Sequence, residues 1–148
     1  MNYRRILVGI DENNASNEVV NHAIVIAKNC NSELHVITVF DIPDIYSSKI
    51  NSDKLSHHNI EERVEKMEQR LLEIKKYTER EGLSVVTKLL DENMSPEKSL
   101  LNYSKTNDID LIMVGKGKGN GEKLKDWLIG STALEIVKHS DCSVMIVK

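Results

Sequence analysis

The sequence has no long apolar run, few cysteines and little at its start that resembles a targeting signal. No apolar segment approaches the roughly 20 residues that a membrane-spanning helix requires. The first five residues include two arginines and lead into an apolar run that is too short for the core of a signal peptide. The two cysteines follow no disulfide or metal-binding pattern. We therefore expect a protein of a reducing compartment, located in the cytoplasm, with no membrane partner.

The sequence also lacks an excess of basic residues and the common catalytic motifs. Lysine and arginine total 20 against 23 acidic residues, a formal net charge of −3. A dedicated nucleic-acid binder normally carries a basic face, so we expect no nucleic-acid partner. Neither G-x-S-x-G nor G-x-x-x-x-G-K-[ST] is present, and the five histidines have no metal-ligand spacing. We therefore expect no catalytic residues and no metal site built from protein side chains.

Strand-like and helix-like segments alternate along the whole chain. Short apolar runs predict five strands, and apolar residues at helical spacing predict four helices between them. Strict alternation of this kind is typical of an α/β fold, in which helices cover both faces of a parallel sheet. We expect a single domain over residues 1–148. The predicted strands are 5–10, 33–40, 83–89, 109–114 and 143–147, and the predicted helices are 16–30, 57–81, 96–106 and 131–140.

Two of the helix ends have clear local signals. Gly82 follows the long charged segment 57–81, as expected for a glycine that ends a helix. Ser95-Pro96-Glu97 combines a hydroxyl cap, a proline at the first helical position and an acid in the first turn. These signals predict where the second helix ends and where the third begins. The many charges of segment 57–81 are most simply a solvated outer face.

The strand ends predict where a ligand would bind. In open parallel sheets, ligands bind beyond the carboxyl ends of the strands, where the strand order reverses. The first predicted strand ends at Asp11 and the fourth at Gly115. If these two strands are neighbours, Asp11 and the loop after Gly115 line one crevice.

Five of the seven glycines lie between positions 115 and 130, four of them at every second residue. Glycine lets backbone N–H groups turn toward an anion, and a helix start at Gly130-Ser131-Thr132 adds further N–H groups and a positive dipole end. The loop is also rich in lysine, which suits a polyanionic ligand. The alternative is a flexible connector followed by ordinary helix capping, with no ligand.

Residues 6–11, 34–41, 130–133 and 137–147 resemble the universal stress protein family, and the resemblance extends over the whole length of the chain. It implies a Rossmann-like sheet of strand order 3-2-1-4-5, similar to that of the nucleotide α-hydrolases. It also implies a homodimer in which the last strand, about 143–147, pairs across the interface. An unpaired apolar edge strand otherwise invites aggregation.

The ATP-binding branch of this family carries the motif G-x2-G-x9-G-[ST], which the chain matches only in part. Glycines 115, 117, 119 and 121 are all at odd positions, so no two of them are three residues apart. Counting back from Gly130 puts the first motif position at Gly117 and the second at Asn120. Counting forward from the strand end puts the first at Gly115 instead. Asparagine tolerates positive φ better than other non-glycine residues, so Asn120 is compatible with the turn.

The resemblance implies a site for ATP or another adenine nucleotide, with Mg²⁺ or Mn²⁺ at the phosphates. The protein would act as a sensor or regulator with at most slow ATP hydrolysis. The alternative is a dimeric interaction protein that binds no nucleotide, as in the universal stress protein A branch, with helix 57–81 as its contact surface. In the first case Asp11 would hold the ribose, Val39 would meet the adenine, and the phosphates would lie among Gly117, Asn120, Gly130, Ser131 and Thr132.

Overall fold

The computed structural model describes residues 2–11, 16–40, 57–90, 94–117 and 129–148. Within these ranges, strands and helices alternate as the sequence predicts, and most bounds agree within one or two residues. Asn120 lies outside the described residues. The elements are β1 (Arg5–Ile10), α1 (Ser16–Cys30), β2 (Glu33–Val39), α2 (His57–Arg80), β3 (Val85–Leu90), α3 (Pro96–Thr106), β4 (Leu111–Gly115), α4 (Ser131–His139) and β5 (Ser143–Val147).

The five strands form one sheet in the order β3-β2-β1-β4-β5, and every neighbouring pair is parallel. This confirms the predicted α/β fold and the strand order implied by the resemblance. The order reverses between β1 and β4, which are hydrogen-bonded neighbours. The switch point therefore lies between the two strand ends that the sequence selects.

Helices cover both faces of the sheet, and the side chains of β1 show how. Ile6 and Val8 belong to the core under α1 and α2, whereas Leu7 belongs to the core under α3 and α4. All three are fully buried. A strand with both faces covered reads as a continuous apolar run, which is why β1 is recognisable in the sequence.

One helix end agrees with its sequence signal, and one helix start agrees in position but lacks its predicted side-chain cap. Gly82 has φ +82° and its N–H bonds to the Glu79 carbonyl, so it ends α2 as predicted. The predicted hydroxyl cap of Ser95 is wrong. Ser95 is the N-cap residue of α3, but its side chain makes no cap hydrogen bond and its Oγ is buried without a partner among the described residues. Pro96, with its φ already restricted to helical values, is the first helical residue, as predicted.

Candidate functional site

Strand register brings two predicted site residues, Asp11 and Val39, level with Lys116 at the carboxyl edge of the sheet. Ile10 pairs with Thr38 of β2, so the next residue, Asp11, lies level with Val39. Gly9 pairs with Val114 of β4, so Asp11 also lies level with Lys116. Asp11 is exposed, whereas Val39 is half-buried. The predicted meeting of the first and fourth strand ends is confirmed.

Gly117 and Gly130 lie in direct contact at this edge. The N–H of Gly130 donates to the Lys116 carbonyl at 2.8 Å. A Cβ added to Gly117 would lie 3.3 Å from the Gly130 Cα, and one added to Gly130 would lie 3.1 Å from the Lys116 oxygen. Gly117 also has φ +85°, a conformation that L side chains rarely adopt. Both positions therefore favour glycine for reasons of backbone geometry.

Gly115 differs from this pair. It is the last residue of β4, and a Cβ there would make only an ordinary 3.5 Å contact with Val19. Of the two ways to align the glycine motif, the structure thus pairs Gly130 with Gly117. Asn120, the second motif position in that alignment, lies in the part of the chain that is not described.

The contact between the two glycines places the start of α4 at the strand ends. Gly130 is the N-cap residue, and its carbonyl accepts the Leu134 N–H at 3.0 Å. The first N–H groups of a helix have no acceptor within the helix and point outward beyond its N-terminal end. Ser131 is exposed and Thr132 is half-buried. This helix start therefore has the N–H groups, hydroxyls and dipole direction that suit an anion.

Arg70 of α2 reaches the same edge, which the sequence analysis missed. Its Nη1 donates to the Asp11 backbone carbonyl at 3.3 Å, and its Nη2 donates to Asn17 Oδ1 at 3.3 Å. The charges of this helix had been interpreted as a solvated face. One available signal was the position of Arg70 within the apolar stripe, directly before the buried Leu71.

A second arginine of α2 lies at the end of β2. Phe40 is buried, its N–H donates to the Leu90 carbonyl at 2.9 Å, and the Arg63 guanidinium carbon lies 5.4 Å from its ring centroid. Arg63 and Arg70 are seven residues apart and so occupy one face of the helix. The half of α2 that carries them therefore packs beside the carboxyl edge of the sheet.

An open groove of about 930 Å³ runs between α1 and α2. Its lining is mixed, with both acidic and basic side chains, and it reaches Arg70 and Asn17 beside the carboxyl edge. It does not include the helix start at Gly130. Among the described residues, no group of three or more His, Cys, Asp or Glu side chains is arranged to hold a metal ion.

A buried chain of polar groups lies toward the opposite, amino edge of the sheet. His35 is bonded through Nδ1 to Tyr103 Oη at 2.8 Å and through Nε2 to Glu33 Oε1 at 2.7 Å. Burial of the phenol, and then the negative charge of Glu33, raise the pKa of Tyr103 above its ordinary value. These hydrogen-bonded groups connect β2 with α3 at a distance from the carboxyl edge of the sheet. They therefore contribute to the framework rather than to the candidate site.

Comparison with known proteins identifies the family. The sequence model of the Universal stress protein family matches residues 2–148. The chain belongs to this family. This universal stress protein is 29% identical over 148 residues to universal stress protein MJ0531 of Methanocaldococcus jannaschii, a match that covers 99% of this chain and 82% of that one.

Solved structures of universal stress proteins share the fold. UspA from Lactobacillus plantarum superposes with a TM-score of 0.83 at 21% identity, covering 100% of this chain and 99% of that one. A universal stress protein from Archaeoglobus fulgidus in complex with dAMP gives a TM-score of 0.70 at 17% identity, with 100% coverage of both chains. Another family member, in complex with cAMP, gives 0.67 at 21% identity, covering 99% and 98%.

In the described ranges, no helix of this universal stress protein is both long and apolar enough to cross a bilayer.

Proposed function

We propose that this universal stress protein binds an adenine nucleotide, with ATP as the first candidate, at the carboxyl edge of its sheet. The observation that carries the proposal is the contact between Gly117 and Gly130, which holds the start of α4 beside the ends of β1 and β4. Two structural neighbours from the same family are in complex with dAMP and cAMP.

Most of the predicted site residues have a role in this proposal; Gly115 has none, and Asn120 lies outside the described residues. Asp11, exposed at the end of β1, accepts hydrogen bonds from the ribose hydroxyls. Val39, half-buried at the end of β2, packs against the adenine ring. The phosphates lie at the helix start beside Gly130, against the N–H groups of Ser131 and Thr132, since the Gly130 N–H already donates to the Lys116 carbonyl. Gly117 keeps the opposite backbone close without a side chain.

The proposal extends to a metal ion and to a biological role. Because no acidic or histidine cluster for a metal is present in the described ranges, we place Mg²⁺ or Mn²⁺ on the phosphates rather than in a protein cage. No motif in the sequence supplies a general base for rapid hydrolysis. We therefore propose a sensor or regulator of the cytoplasm, with at most slow turnover of ATP.

Calorimetric titration of nucleotide-stripped protein with ATP and Mg²⁺ tests the proposal. We expect saturable binding by the wild type and at least tenfold weaker binding by Asp11→Asn. Asp108→Asn is the matched control, since Asp108 is an exposed acid whose side chain lies 3.7 Å from Arg5 at the amino edge. Absence of heat from the wild type at high micromolar ATP overturns the proposal, as does equal binding by Asp11→Asn.

The second candidate is a dimeric interaction protein without nucleotide, and a specific surface favours the dimer. Leu134 and Val137 of α4 are 41% and 49% exposed, and Met145 of β5 is 36% exposed. β5 is an edge of the described sheet, which leaves its outer side available for pairing. We propose a homodimer through β5, residues 143–147, in either case. Adenine nucleotide released from natively purified protein on denaturation would exclude the version without a ligand.

A further inference from the structure

We propose that Arg70 is a positioning residue for Asp11, and that helix α2 thereby sets how strongly the protein recognises the ribose of its ligand. This inference rests on the proposed nucleotide binding. Asp11 follows the last residue of β1, and its carbonyl accepts the Arg70 Nη1 hydrogen bond at 3.3 Å. The orientation of the Asp11 peptide is therefore tied to a side chain from a different element.

The same guanidinium also holds the start of α1. Its Nη2 donates to Asn17 Oδ1 at 3.3 Å, one residue after the helix begins. Asp11 and Asn17 flank residues 12–15, so Arg70 ties together both sides of the connection between β1 and α1. A guanidinium is suited to this because its donors are fixed in one plane, whereas a lysine ammonium is a single flexible point charge.

The backbone that carries Arg70 is held by buried neighbours. Met67, Leu71 and Ile74 are all buried. Met67 packs with Phe40 beyond the end of β2, while Leu71 and Ile74 belong to the core beneath α1. Arg70 itself is half-buried, although its partners Asp11 and Asn17 are exposed. The position of Arg70 is therefore set by the packing of α2 against the sheet.

The expected consequence is specific to the sugar. Removal of the guanidinium takes away a hydrogen bond from the Asp11 carbonyl, so the peptide that carries the carboxylate is held less firmly beside the ribose hydroxyls. Hydrogen bonds weaken steeply with misalignment. Contacts to the phosphates at α4 do not pass through Arg70, and neither does packing of the base on Val39. A loss of cationic charge acts differently, since it weakens the binding of every nucleoside triphosphate by the same factor.

The test compares ATP with 2′,3′-dideoxy-ATP, which has the same phosphates and base but no ribose hydroxyls. The measure of sugar recognition is the Kd for 2′,3′-dideoxy-ATP divided by the Kd for ATP. We expect this ratio to fall about three- to tenfold in Arg70→Gln, and to fall further in Asp11→Asn. The double variant should be no less selective than Asp11→Asn alone. Arg70→Lys should recover little of the ratio, although it keeps the charge. Arg80→Gln is the control, because Arg80 lies on the same helix and, among the described residues, donates to the Lys76 carbonyl four residues earlier.

An unchanged ratio in Arg70→Gln overturns the proposal. If both ligands are then weakened by the same factor, Arg70 has a general electrostatic role. Additive losses of the ratio in the double variant overturn the proposal as well.

Amide hydrogen exchange on ligand-free protein separates this inference from the proposed function. Arg70→Gln should raise the exchange rate of the amides of residues 19–22, the first that are hydrogen-bonded within α1, and Arg80→Gln should not. If the wild type binds no nucleotide, the proposed function and the ribose role both fall, while exchange still decides whether Arg70 holds this connection. If the wild type binds nucleotide and exchange at 19–22 does not change, the positioning role alone is wrong.

Discussion

Gly117 and Gly130 pack backbone to backbone, so that neither has room for a side chain without movement of the other. A Cβ on Gly117 would lie 3.3 Å from the Gly130 Cα. The contact joins the end of β4 to the start of α4 through the hydrogen bond from Gly130 to the Lys116 carbonyl. The pair of glycines with a structural requirement is therefore Gly117 and Gly130 rather than Gly115.

Gly117→Ala should destabilise the protein by about 1–3 kcal/mol, because alanine is strained at positive φ and also meets Gly130. Gly82→Ala is the matched control, since Gly82 has φ +82° but nothing within 4 Å of an added Cβ. It should cost about 1 kcal/mol, the backbone strain alone. Urea denaturation measures both values. A Gly117→Ala variant no less stable than Gly82→Ala would show that the contact between the glycines contributes nothing.

Tyr103→Phe should lower the free energy of unfolding by about 1–2 kcal/mol, because it leaves the buried Nδ1 of His35 without its partner. Tyr77→Phe is the control, since Tyr77 is 43% exposed on α2 and belongs to no buried network. We expect a change within about 0.5 kcal/mol for this surface substitution. Thermal or urea unfolding at neutral pH compares the two.

The raised pKa of Tyr103 also predicts alkaline behaviour. Burial, followed by the charge of Glu33, favours the neutral phenol in the folded state and raises the pKa of Tyr103 above its ordinary value of 10.0. The unfolded chain therefore loses this proton first as the pH rises. The stabilisation is complete below about pH 10 and is lost as the pH rises toward the folded-state pKa. Urea denaturation from pH 8 to 11 should show a steeper alkaline decline for the wild type than for Tyr103→Phe; parallel curves would contradict it.

Thr78→Val should raise stability by about 0.5–1.5 kcal/mol, since it removes a buried hydroxyl that makes no hydrogen bond among the described residues. Thr78 is fully buried in α2, and valine has nearly the same shape. Thr106→Val tests the effect of the same substitution at the end of α3, where the exposed hydroxyl donates to the Asn102 carbonyl. Equal effects at both sites, measured by chemical denaturation, would mean that burial of an unpaired hydroxyl is not the cause.

Val137→Glu and Met145→Glu should each convert the proposed dimer to a monomer. The fold of each subunit should stay intact, because both side chains are exposed in the single chain. A charge at either position would be desolvated in an interface formed by α4 and the β5 edge. Val25→Glu is the control, because Val25 is 59% exposed on α1 at a distance from that edge in the sheet order. Sedimentation velocity reports the oligomeric state. A monomeric wild type, or dimers in all the variants, would contradict the proposed interface.

The fold could be predicted from the sequence because the strands are buried on both faces. Continuous apolar runs such as Ile6–Val8 have no other simple explanation in a chain of this length, and the helical segments between them imply parallel pairing. The fourth strand begins later than predicted, at Leu111, because Asp108 adopts φ +51° and the chain turns before the sheet. Such turns depend on local backbone conformation, which an apolar pattern does not show.

The candidate site could be predicted only where it follows from strand ends. Asp11 and Val39 come together because parallel strands end at one edge. The spacing allowed the first motif glycine to be Gly115 or Gly117, and the contact between Gly117 and Gly130, which the sequence does not show, favours the second alignment. Arg70 was missed because its partner is a backbone carbonyl 59 positions away, with no sequence signature. The failed cap at Ser95 shows that a favourable residue type does not determine its side-chain bond.

The hydrogen bond between Gly130 and Lys116 has a consequence for how members of this fold diversify. It closes the chain between β4 and α4, so the ends of the intervening segment are held at a fixed separation whatever its length. Loop-closure entropy grows only slowly with added residues. Insertions between positions 117 and 130 therefore cost little stability and leave the sheet undisturbed. Ligand preference could change in this one segment while the framework stays the same.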